Sequence, residues 1–306
     1  MAVNGAGPES RRGGEVERGM ALMIVGMLVV PVMDALGKHL GQSMAPGQVT
    51  WGRVAFQAAI LLPFVLAAGR RLPRRHLGLH VARGFLTAVS TLFFFAALTV
   101  MPLADTVAIF FVEPLILTLL SALFLGERIG WRRLSAVAVG LAGALIVIRP
   151  SFAAFGLHAL LPLGAALTFA LYLLITRKLA PYEDAAVLQL TAGLTGCLFM
   201  SLGLAAGAVL EIPMLEPSWP SAWQWFLMLL LGAVATFSHM LVVLAFRHAP
   251  AGVLAPFQYL EIISATILGL AVFGDFPDAL TWLGIAVIVG SGLYVFHRER
   301  TVARRG

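Results

Sequence analysis

The chain has 306 residues, of which 60% are hydrophobic and 12% are charged, whereas a soluble domain is closer to half apolar and a quarter charged. This composition excludes an ordinary soluble domain and indicates an all-α polytopic membrane protein. The formal charge of +6 is explained by basic residues that flank membrane spans, so it gives no reason to expect a nucleic-acid partner.

The apolar runs predict ten transmembrane helices, each close to the roughly 20 residues that a membrane-spanning helix needs. Residues 1–19 are polar and glycine-rich and predict a disordered cytoplasmic tail, and residues 298–306 predict a basic cytoplasmic tail. The predicted spans are 20–39, 48–69, 77–99, 104–125, 131–149, 156–176, 184–208, 222–246, 251–273 and 279–297.

The lysines and arginines predict the orientation. With the N-terminus inside, about 17 of the 21 Lys and Arg residues fall in segments on one side of the membrane, as the positive-inside rule requires of the cytoplasmic side. The loop 211–220 contains acids and no bases, which suits the opposite side. We therefore predict a multi-pass protein of a bacterial-type inner (plasma) membrane with both termini in the cytoplasm.

The two halves of the chain carry the same rare residues. Sliding the sequence on itself by about 148 residues, as in a search for an internal repeat, aligns Glu113 with Glu261. The same shift aligns Pro102 with Pro250, Thr118 with Thr266, Gly126 with Gly274, and Glu127 with Asp275. Each half, 20–150 and 156–297, has five spans. Because five is odd, the second half enters the membrane from the opposite side, which predicts two inverted five-helix repeats.

The end of the fourth span carries a family resemblance. The sequence FLGERIG at 124–130 is followed by WRRLSAVAVGLAGALIVIRP, and the second half repeats this pattern as VFGDFPDALTWLGIAVIVGSGLYVFHRE. Over residues 20–297 the chain resembles the drug/metabolite transporter (DMT) superfamily, specifically proteins with two EamA domains, with Asp275 in place of the usual Glu. The stretch APFQYLEIISATILGLAVFGDFPD looks most like the riboflavin-uptake branch, with S-adenosylmethionine and amino-acid carriers close behind. The resemblance implies a central cavity lined by the first four helices of each half.

Two carboxyl groups lie deep in predicted spans. Glu113 and Glu261 are each near the middle of an apolar run, where an acid costs about 2.5–3.5 kcal/mol to insert. We expect both to face the protein interior and to bind substrate or a coupling proton; the alternative is a hydrogen bond that ties two helices together. Pro114 and Pro256 remove backbone donors beside these sites and should loosen the helix there.

Other polar residues in the spans are candidates for gating or structural roles. Asp34 and Lys38 are four residues apart, acid first, which favours an ion pair on one helix face. This pair would form an outer gate or lie at the membrane interface. Arg53 and Arg83 are expected to extend toward the membrane surface, with Arg83 the better candidate for a cavity residue. Glu127 and Asp275, beside glycines at helix ends, are assigned structural or gating roles.

Several further side chains could contact substrate from the same helices. His239 is deep in the eighth span, where a packing role is the alternative, and inward-facing aromatic rings could stack on a flat heteroaromatic ligand. The complete predicted substrate or coupling set is Glu113, Glu261, Gln258, Tyr259, His239, Tyr172, Phe110 and Arg83.

The sequence contains no phosphate loop, zinc motif or catalytic triad signature, so we predict no cofactor, no metal and no enzymatic activity. The predicted function is a secondary active transporter that moves a small organic metabolite by alternating access, with riboflavin uptake first. The alternatives are an S-adenosylmethionine, amino-acid or drug/metabolite carrier, or, in a different class, a non-transporting accessory subunit or membrane enzyme. The predicted partners are a small-molecule substrate and the lipid bilayer. A coupling proton, a homodimer and the direction of transport stay open.

Overall fold

The computed structural model describes residues 8–73, 75–125, 131–249, 254 and 257–303. Within these ranges every regular element is helical, which confirms the all-α prediction. The α-helices are α1 (Pro8–Gly41), α2 (Pro46–Ala67), α3 (Leu77–Leu98), α4 (Leu103–Phe110), α5 (Glu113–Leu125), α6 (Trp131–Phe155), α7 (Leu161–Leu179), α8 (Ala185–Leu210), α9 (Ala222–His248), α10 (Leu260–Leu268) and α11 (Ala279–Ala303). Short 3-10 turns cover Gly156–Leu160 and Pro213–Leu215, and a π-turn covers Gly269–Phe273.

The helices have the length and apolar character of membrane spans. Seven stretches of the described chain are long and apolar enough to cross a bilayer: Glu15–Gly41, Pro46–Ala67, Leu77–Leu98, Leu103–Phe124, Phe152–Leu179, Ala185–Leu210 and Ala222–His248. Three shorter apolar helices, Leu134–Ile148, Leu260–Phe273 and Ala279–Tyr294, coincide with the fifth, ninth and tenth predicted spans. A multi-pass membrane protein is confirmed, while the count of ten spans and the inverted repeat stay predictions.

The outer surface is apolar. Large hydrophobic side chains remain exposed along the helices, among them Phe64 at 69%, Leu123 at 75% and Val209 at 81%. In a soluble protein an apolar surface of this kind would promote association, whereas in a bilayer it contacts the acyl chains. The polar side chains considered below lie among the helices instead.

The terminal helices are longer than the sequence predicted. α1 begins at Pro8, so the described part of the predicted disordered tail 1–19 is helical. Proline is favoured in the first turn of a helix, and the Glu and Arg residues that follow it are good helix formers. At the other end α11 continues to Ala303, into the predicted basic tail 298–306, where basic residues complement the C-terminal end of the helix dipole.

The same helix pairs are found when each helix is replaced by its counterpart in the other half. The counterparts are α1 and α7, α2 and α8, α3 and α9, α5 and α10, and α6 and α11. Accordingly, α1 packs on α9 as α7 packs on α3, and α2 packs on α9 as α8 packs on α3. α1 packs on α10 as α7 packs on α5, while α2 with α8 and α6 with α11 are pairs between equivalent helices. A pseudo-two-fold relation between the halves would produce this pattern.

Helix α2 is held closely between two helices of the second half. A Cβ atom at Gly232 of α9 would lie 2.5 Å from the Cβ of Phe56, and one at Gly193 of α8 would lie 3.3 Å from the carbonyl oxygen of Val54. Small residues, glycine above all, let helix backbones approach closely, and at Gly232 a side chain would require Phe56 to move. This packing fixes α2, and therefore Arg53, against the second half of the chain.

Candidate functional site

The fourth apolar span is broken in its middle. α4 ends at Phe110, residues 111–112 form a turn, and α5 begins at Glu113 with Pro114 as its second residue. Because proline has no N–H group and its ring crowds the preceding turn, an uninterrupted α-helix is disfavoured here. The predicted loosening of the helix beside Glu113 is therefore present.

A matching break lies in the second half. Tyr259 is in a turn directly before α10, and Glu261 is the second residue of that helix. The rings of Phe111 and Tyr259 are in contact, with their centroids 5.5 Å apart. The two breaks thus meet inside the molecule. Pro256, predicted to loosen this second helix, lies outside the described residues.

Three carboxyl groups converge near these breaks. Asp34 of α1 is 2% exposed and Glu113 is 8% exposed, and both interact electrostatically with the partly buried Glu261. Within the described chain, Oδ2 of Asp34 and Oε1 of Glu113 are buried and have no hydrogen-bond partner. Buried polar atoms are nearly always paired, so these two carboxyl groups are candidates for contact with a ligand.

Arg53 of α2 belongs to the same group, which the sequence analysis did not predict. Arg53 was expected to extend toward the membrane surface. It is instead 7% exposed and lies among the helices. Nη1 donates to Oγ1 of Thr91 on α3 at 2.8 Å, and Arg53 interacts electrostatically with Asp34. The available signal was an arginine inside an apolar run, the same signal that identified Glu113.

Two more predicted residues, Tyr259 and His239, interact with this group. Tyr259 interacts electrostatically with Glu113, and partly buried His239 of α9 interacts with Arg53. Gln258 is partly buried beside Tyr259 in the chain. We call Asp34, Arg53, Glu113, His239, Tyr259 and Glu261 the central cluster.

Arg83 lies apart from the carboxyl groups and is held by neutral acceptors. It is 1% exposed, and its guanidinium donates to Oγ1 of Thr176 at 2.7 Å, to the carbonyl of Leu188 at 2.9 Å and to Oη of Tyr172 at 3.2 Å. It also lies 4.9 Å from the centre of the Tyr172 ring. These contacts fasten α3 to α7 and α8.

A row of aromatic rings connects α3, α4 and α7. Phe110 contacts Phe94 at 5.3 Å and Phe169 at 5.6 Å between centroids, and Phe169 stacks on Tyr172 at 5.2 Å. The predicted residues Phe110 and Tyr172 are thus brought together through Phe169. The row lies next to the central cluster, because Tyr172 also interacts electrostatically with Arg53.

The predicted pair between Asp34 and Lys38 is wrong. Nζ of Lys38 is 2.5 Å from Oδ2 of Asp275 and 3.0 Å from the carbonyl oxygen of Met101, and it lies 4.7 Å from the centre of the Phe273 ring. Asp34 instead interacts with Arg53. The tertiary partner replaces the helical neighbour because Asp275, after the π-turn, approaches the C-terminal end of α1. Lys38 therefore connects the two halves.

Glu127, the equivalent of Asp275, lies outside the described residues.

At the opposite end of the helices, a second ionic group joins three elements. Asp184 caps α8 by accepting a hydrogen bond from the amide of Ala186 at 2.8 Å. The same carboxylate pairs with Arg70, which follows α2, and lies 3.5 Å from Nη2 of Arg247 near the end of α9. Ion pairs between the halves are thus found at both ends of the central cluster.

The described residues contain no group of three or more His, Cys, Asp or Glu side chains arranged to hold a metal ion. The central cluster instead consists of carboxyl groups, one guanidinium, an imidazole and a phenol, enclosed by apolar helices. Ionisable groups inside a membrane protein are candidates for substrate or ion pathways, unless structural contacts account for them as they do for Arg83. Fold and cluster together define a polytopic helical protein of the transporter type.

Comparison with known proteins gives the family. Residues 17–149 and 156–296 both match the EamA-like transporter family, and the chain belongs to that family, within the drug/metabolite transporter superfamily. This confirms the resemblance found in the sequence and points to a transporter rather than an enzyme.

The relatives include transporters with different named substrates. The S-adenosylmethionine uptake transporter of Rickettsia prowazekii (strain Madrid E) is 26% identical over 283 residues, covering 92% of this chain and 93% of the relative. The riboflavin transporter of Brucella anthropi is 30% identical over 251 residues, covering 80% of this chain and 86% of the relative. A protein of known crystal structure shares the fold, with a TM-score of 0.64 at 19% identity over 92% of this chain and 98% of that one.

Proposed function

We propose that this protein is a secondary active transporter that moves a small organic metabolite across the inner membrane by alternating access. The observation that carries the proposal is the convergence of Asp34, Glu113 and Glu261, drawn from both halves, on two helix breaks in contact with each other. In transporters built from inverted repeats, substrate sites lie where discontinuous helices of the two halves meet near mid-membrane. The exchange symmetry of the helix packing supports such a repeat here.

Alternating access requires the contacts between the halves to open at one end at a time. The pair of Lys38 with Asp275 links α1 to the segment after α10. With both termini in the cytoplasm, this pair lies at the outer end and the Asp184 group at the cytoplasmic end. We assign Lys38 and Asp275 to the outer gate, which separates when the central cluster opens outward.

The charge of the central cluster favours a cationic substrate. Three carboxyl groups face one guanidinium, and among the described residues no basic side chain acts on Glu113 or Glu261. S-adenosylmethionine, which is positively charged and is the substrate named for one group of relatives, fits this charge. Glu113 is the candidate for the coupling proton, because its carboxyl is buried and Oε1 has no described partner.

Riboflavin is the second candidate. It is supported by the row from Phe94 through Phe110 and Phe169 to Tyr172, which offers faces for a flat ring system, and by the name of the Brucella anthropi relative. A flavin would add no positive charge beside Glu113 and Glu261, whereas Asp34 already interacts with Arg53. Replacing Glu113 or Glu261 by glutamine should therefore reduce transport of S-adenosylmethionine but not transport of riboflavin.

Purified protein in proteoliposomes tests the proposal by uptake of radiolabelled S-adenosylmethionine and riboflavin. We expect Glu113→Gln and Glu261→Gln to reduce S-adenosylmethionine uptake by about 10- to 100-fold, since a hydrogen bond to a charged group contributes roughly 1.5–3 kcal/mol. The control Glu216→Gln makes the same change in an exposed loop and should leave uptake unchanged.

An imposed pH gradient, acidic outside, should accelerate uptake by the wild type and by Glu216→Gln but not by Glu113→Gln. Full activity of both buried variants at every pH would make the carboxyl groups structural. Wild-type protein that moves nothing in a broad metabolite panel would instead indicate a non-transporting accessory subunit.

A further inference from the structure

Arg53 is a buried guanidinium with spare hydrogen-bonding capacity. Of its five N–H donors, the hydrogen bonds found engage Nη1, with Oγ1 of Thr91 at 2.8 Å, and Nε, with the sulfur of Met33 at 3.4 Å. Both partners are neutral, and a thioether is a weak acceptor. The strongest arginine partners are carboxylates and phosphates, which accept two parallel hydrogen bonds from its planar fork.

The nearest carboxyl does not take that role. Asp34 interacts with Arg53 electrostatically, yet its buried Oδ2 has no hydrogen-bond partner among the described residues. Nε of Arg53 reaches the sulfur of Met33, the residue before Asp34, so a buried base and a buried acid lie in one region with hydrogen-bonding atoms that no described residue engages. Each of them forgoes a favourable contact. A ligand that carries both signs of charge would satisfy the two residues together.

We propose that Arg53 and Asp34 form a subsite for the head group of an α-amino acid, with Arg53 binding the carboxylate and Asp34 the ammonium. The ammonium and the carboxylate of such a head group are bonded to the same carbon atom. This suits a base and an acid placed close together, and Arg53 of α2 contacts Met33, the neighbour of Asp34 on α1. Glu113 and Glu261 then face the rest of the substrate. This inference rests on the proposed function and narrows its substrate class.

The subsite makes Arg53 the residue that selects for a carboxylate. Amino acids and amines that differ only in that group should therefore bind differently. Useful pairs are S-adenosylmethionine with its decarboxylated form, arginine with agmatine, and histidine with histamine. Riboflavin has no amino-acid head group, so its affinity should not depend on Arg53.

The experiment measures binding to purified full-length protein by isothermal titration calorimetry for each pair. For the amino acid that binds the wild type, we expect its amine partner to bind about tenfold or more weakly, because a charge-assisted contact is lost. Arg53→Gln should weaken binding of the amino acid to the level of the amine and leave the amine unchanged. Asp34→Asn should weaken both members of the pair equally, because both contain the ammonium.

Two control variants distinguish loss of substrate contacts from loss of structure. Arg71→Gln removes an exposed loop arginine and should leave both affinities at the wild-type level. Arg53→Lys keeps the charge without the fork and should retain part of the selectivity, which also covers the case in which Arg53→Gln fails to fold.

Equal binding of the amine and the amino acid by the wild type would overturn the proposal, as would equal weakening of both by Arg53→Gln. Tight binding of riboflavin with none of the amino acids would overturn it too. Selective binding without any flux in proteoliposomes would uphold the subsite and contradict the transporter function, so the two failures are distinguishable.

Discussion

Phe111 and Tyr259 occupy equivalent positions in the two halves of the chain, and their rings are in contact at 5.5 Å between centroids. Each stands in the turn that interrupts its span, two residues before the acid Glu113 or Glu261. The repeat that relates the acids in sequence therefore also relates the two residues that bring the breaks together in space.

This contact should couple the two breaks energetically. Phe111→Ala and Tyr259→Ala are each expected to lower the free energy of unfolding, and the double variant should lose less than the sum by about 0.5–1.5 kcal/mol, as is typical of aromatic pairs. Unfolding by SDS titration of purified protein measures the cycle. Tyr259→Phe keeps the ring and serves as the control for the hydroxyl group. Strictly additive losses would show that the rings do not stabilise the meeting of the breaks.

The Lys38–Asp275 pair should tolerate exchange of its charges better than loss of one partner. Lys38→Asp alone places two acids together, and Asp275→Lys alone places two bases together, so both should unfold at lower temperature and transport more slowly. The double reversal should recover part of a contact that is worth about 1.5–3 kcal/mol when charge-assisted. Thermal midpoints and uptake are the measurements, with Arg71→Asp as the exposed control. If the double variant is as unstable and as slow in uptake as the worse single variant, the assignment of this pair to the outer gate is wrong.

Arg83 should contribute to stability more than to substrate affinity. Replacing it by Met removes its hydrogen bonds to Thr176, Leu188 and Tyr172, and a hydrogen bond from a charged group contributes about 1.5–3 kcal/mol. The Leu188 carbonyl keeps a second donor, the hydroxyl of Thr191, so this acceptor stays paired. We expect Arg83→Met to lower the thermal midpoint strongly and Arg83→Lys to lie between it and the wild type, because an ammonium lacks the planar fork. A variant that stays stable but loses substrate would instead make Arg83 the cavity residue that the sequence predicted.

The predicted orientation can be measured in intact cells. In a Cys197→Ser background, Glu216→Cys should react with a membrane-impermeant maleimide, and Arg71→Cys should react only after the membrane is permeabilised. Both positions are exposed in loops, at 211–220 and between α2 and α3. The physical basis is the excess of Lys and Arg on the side of Arg71. The reverse labelling pattern would place the termini outside and exchange the outer and cytoplasmic gates.

The sequence predicts the all-α membrane fold and the helix break beside Glu113, because rare residues stand out in apolar runs. Glu113 and Pro114 identified the broken helix, and the repeat identified Glu261 as its counterpart. The neighbourhood of Arg53 was missed because an arginine near the start of a predicted span can reach the membrane surface at little cost. Only the packing of α2 between α8 and α9 excludes that conformation, and single-sequence periodicity does not reveal it.

Lys38 illustrates the opposite error. The spacing of Asp34 and Lys38 is favourable on an isolated helix, where such a pair contributes a few tenths of a kcal/mol. In the folded chain, Asp275 is 237 residues away in sequence yet 2.5 Å away in space. Helix pairing rules consider only residues a few positions apart in sequence, so they cannot identify a partner from the other half of the chain.

The two ionic ends of the molecule differ in how much water reaches them. The acids are similarly exposed, Asp184 at 27% and Asp275 at 30%, so the difference lies in the bases. The side chains of Arg70 and Arg247 are 40% and 55% exposed, whereas that of Lys38 is 11% exposed. Dissolved ions screen charges in contact with solvent and act weakly on enclosed ones. Raising the ionic strength of the compartment that bathes Asp184 should therefore weaken the ion pairs at that end more than the pair of Lys38. Under the proposed alternating-access mechanism, the salt concentration on one face of the membrane would then shift the balance between the inward-open and outward-open states.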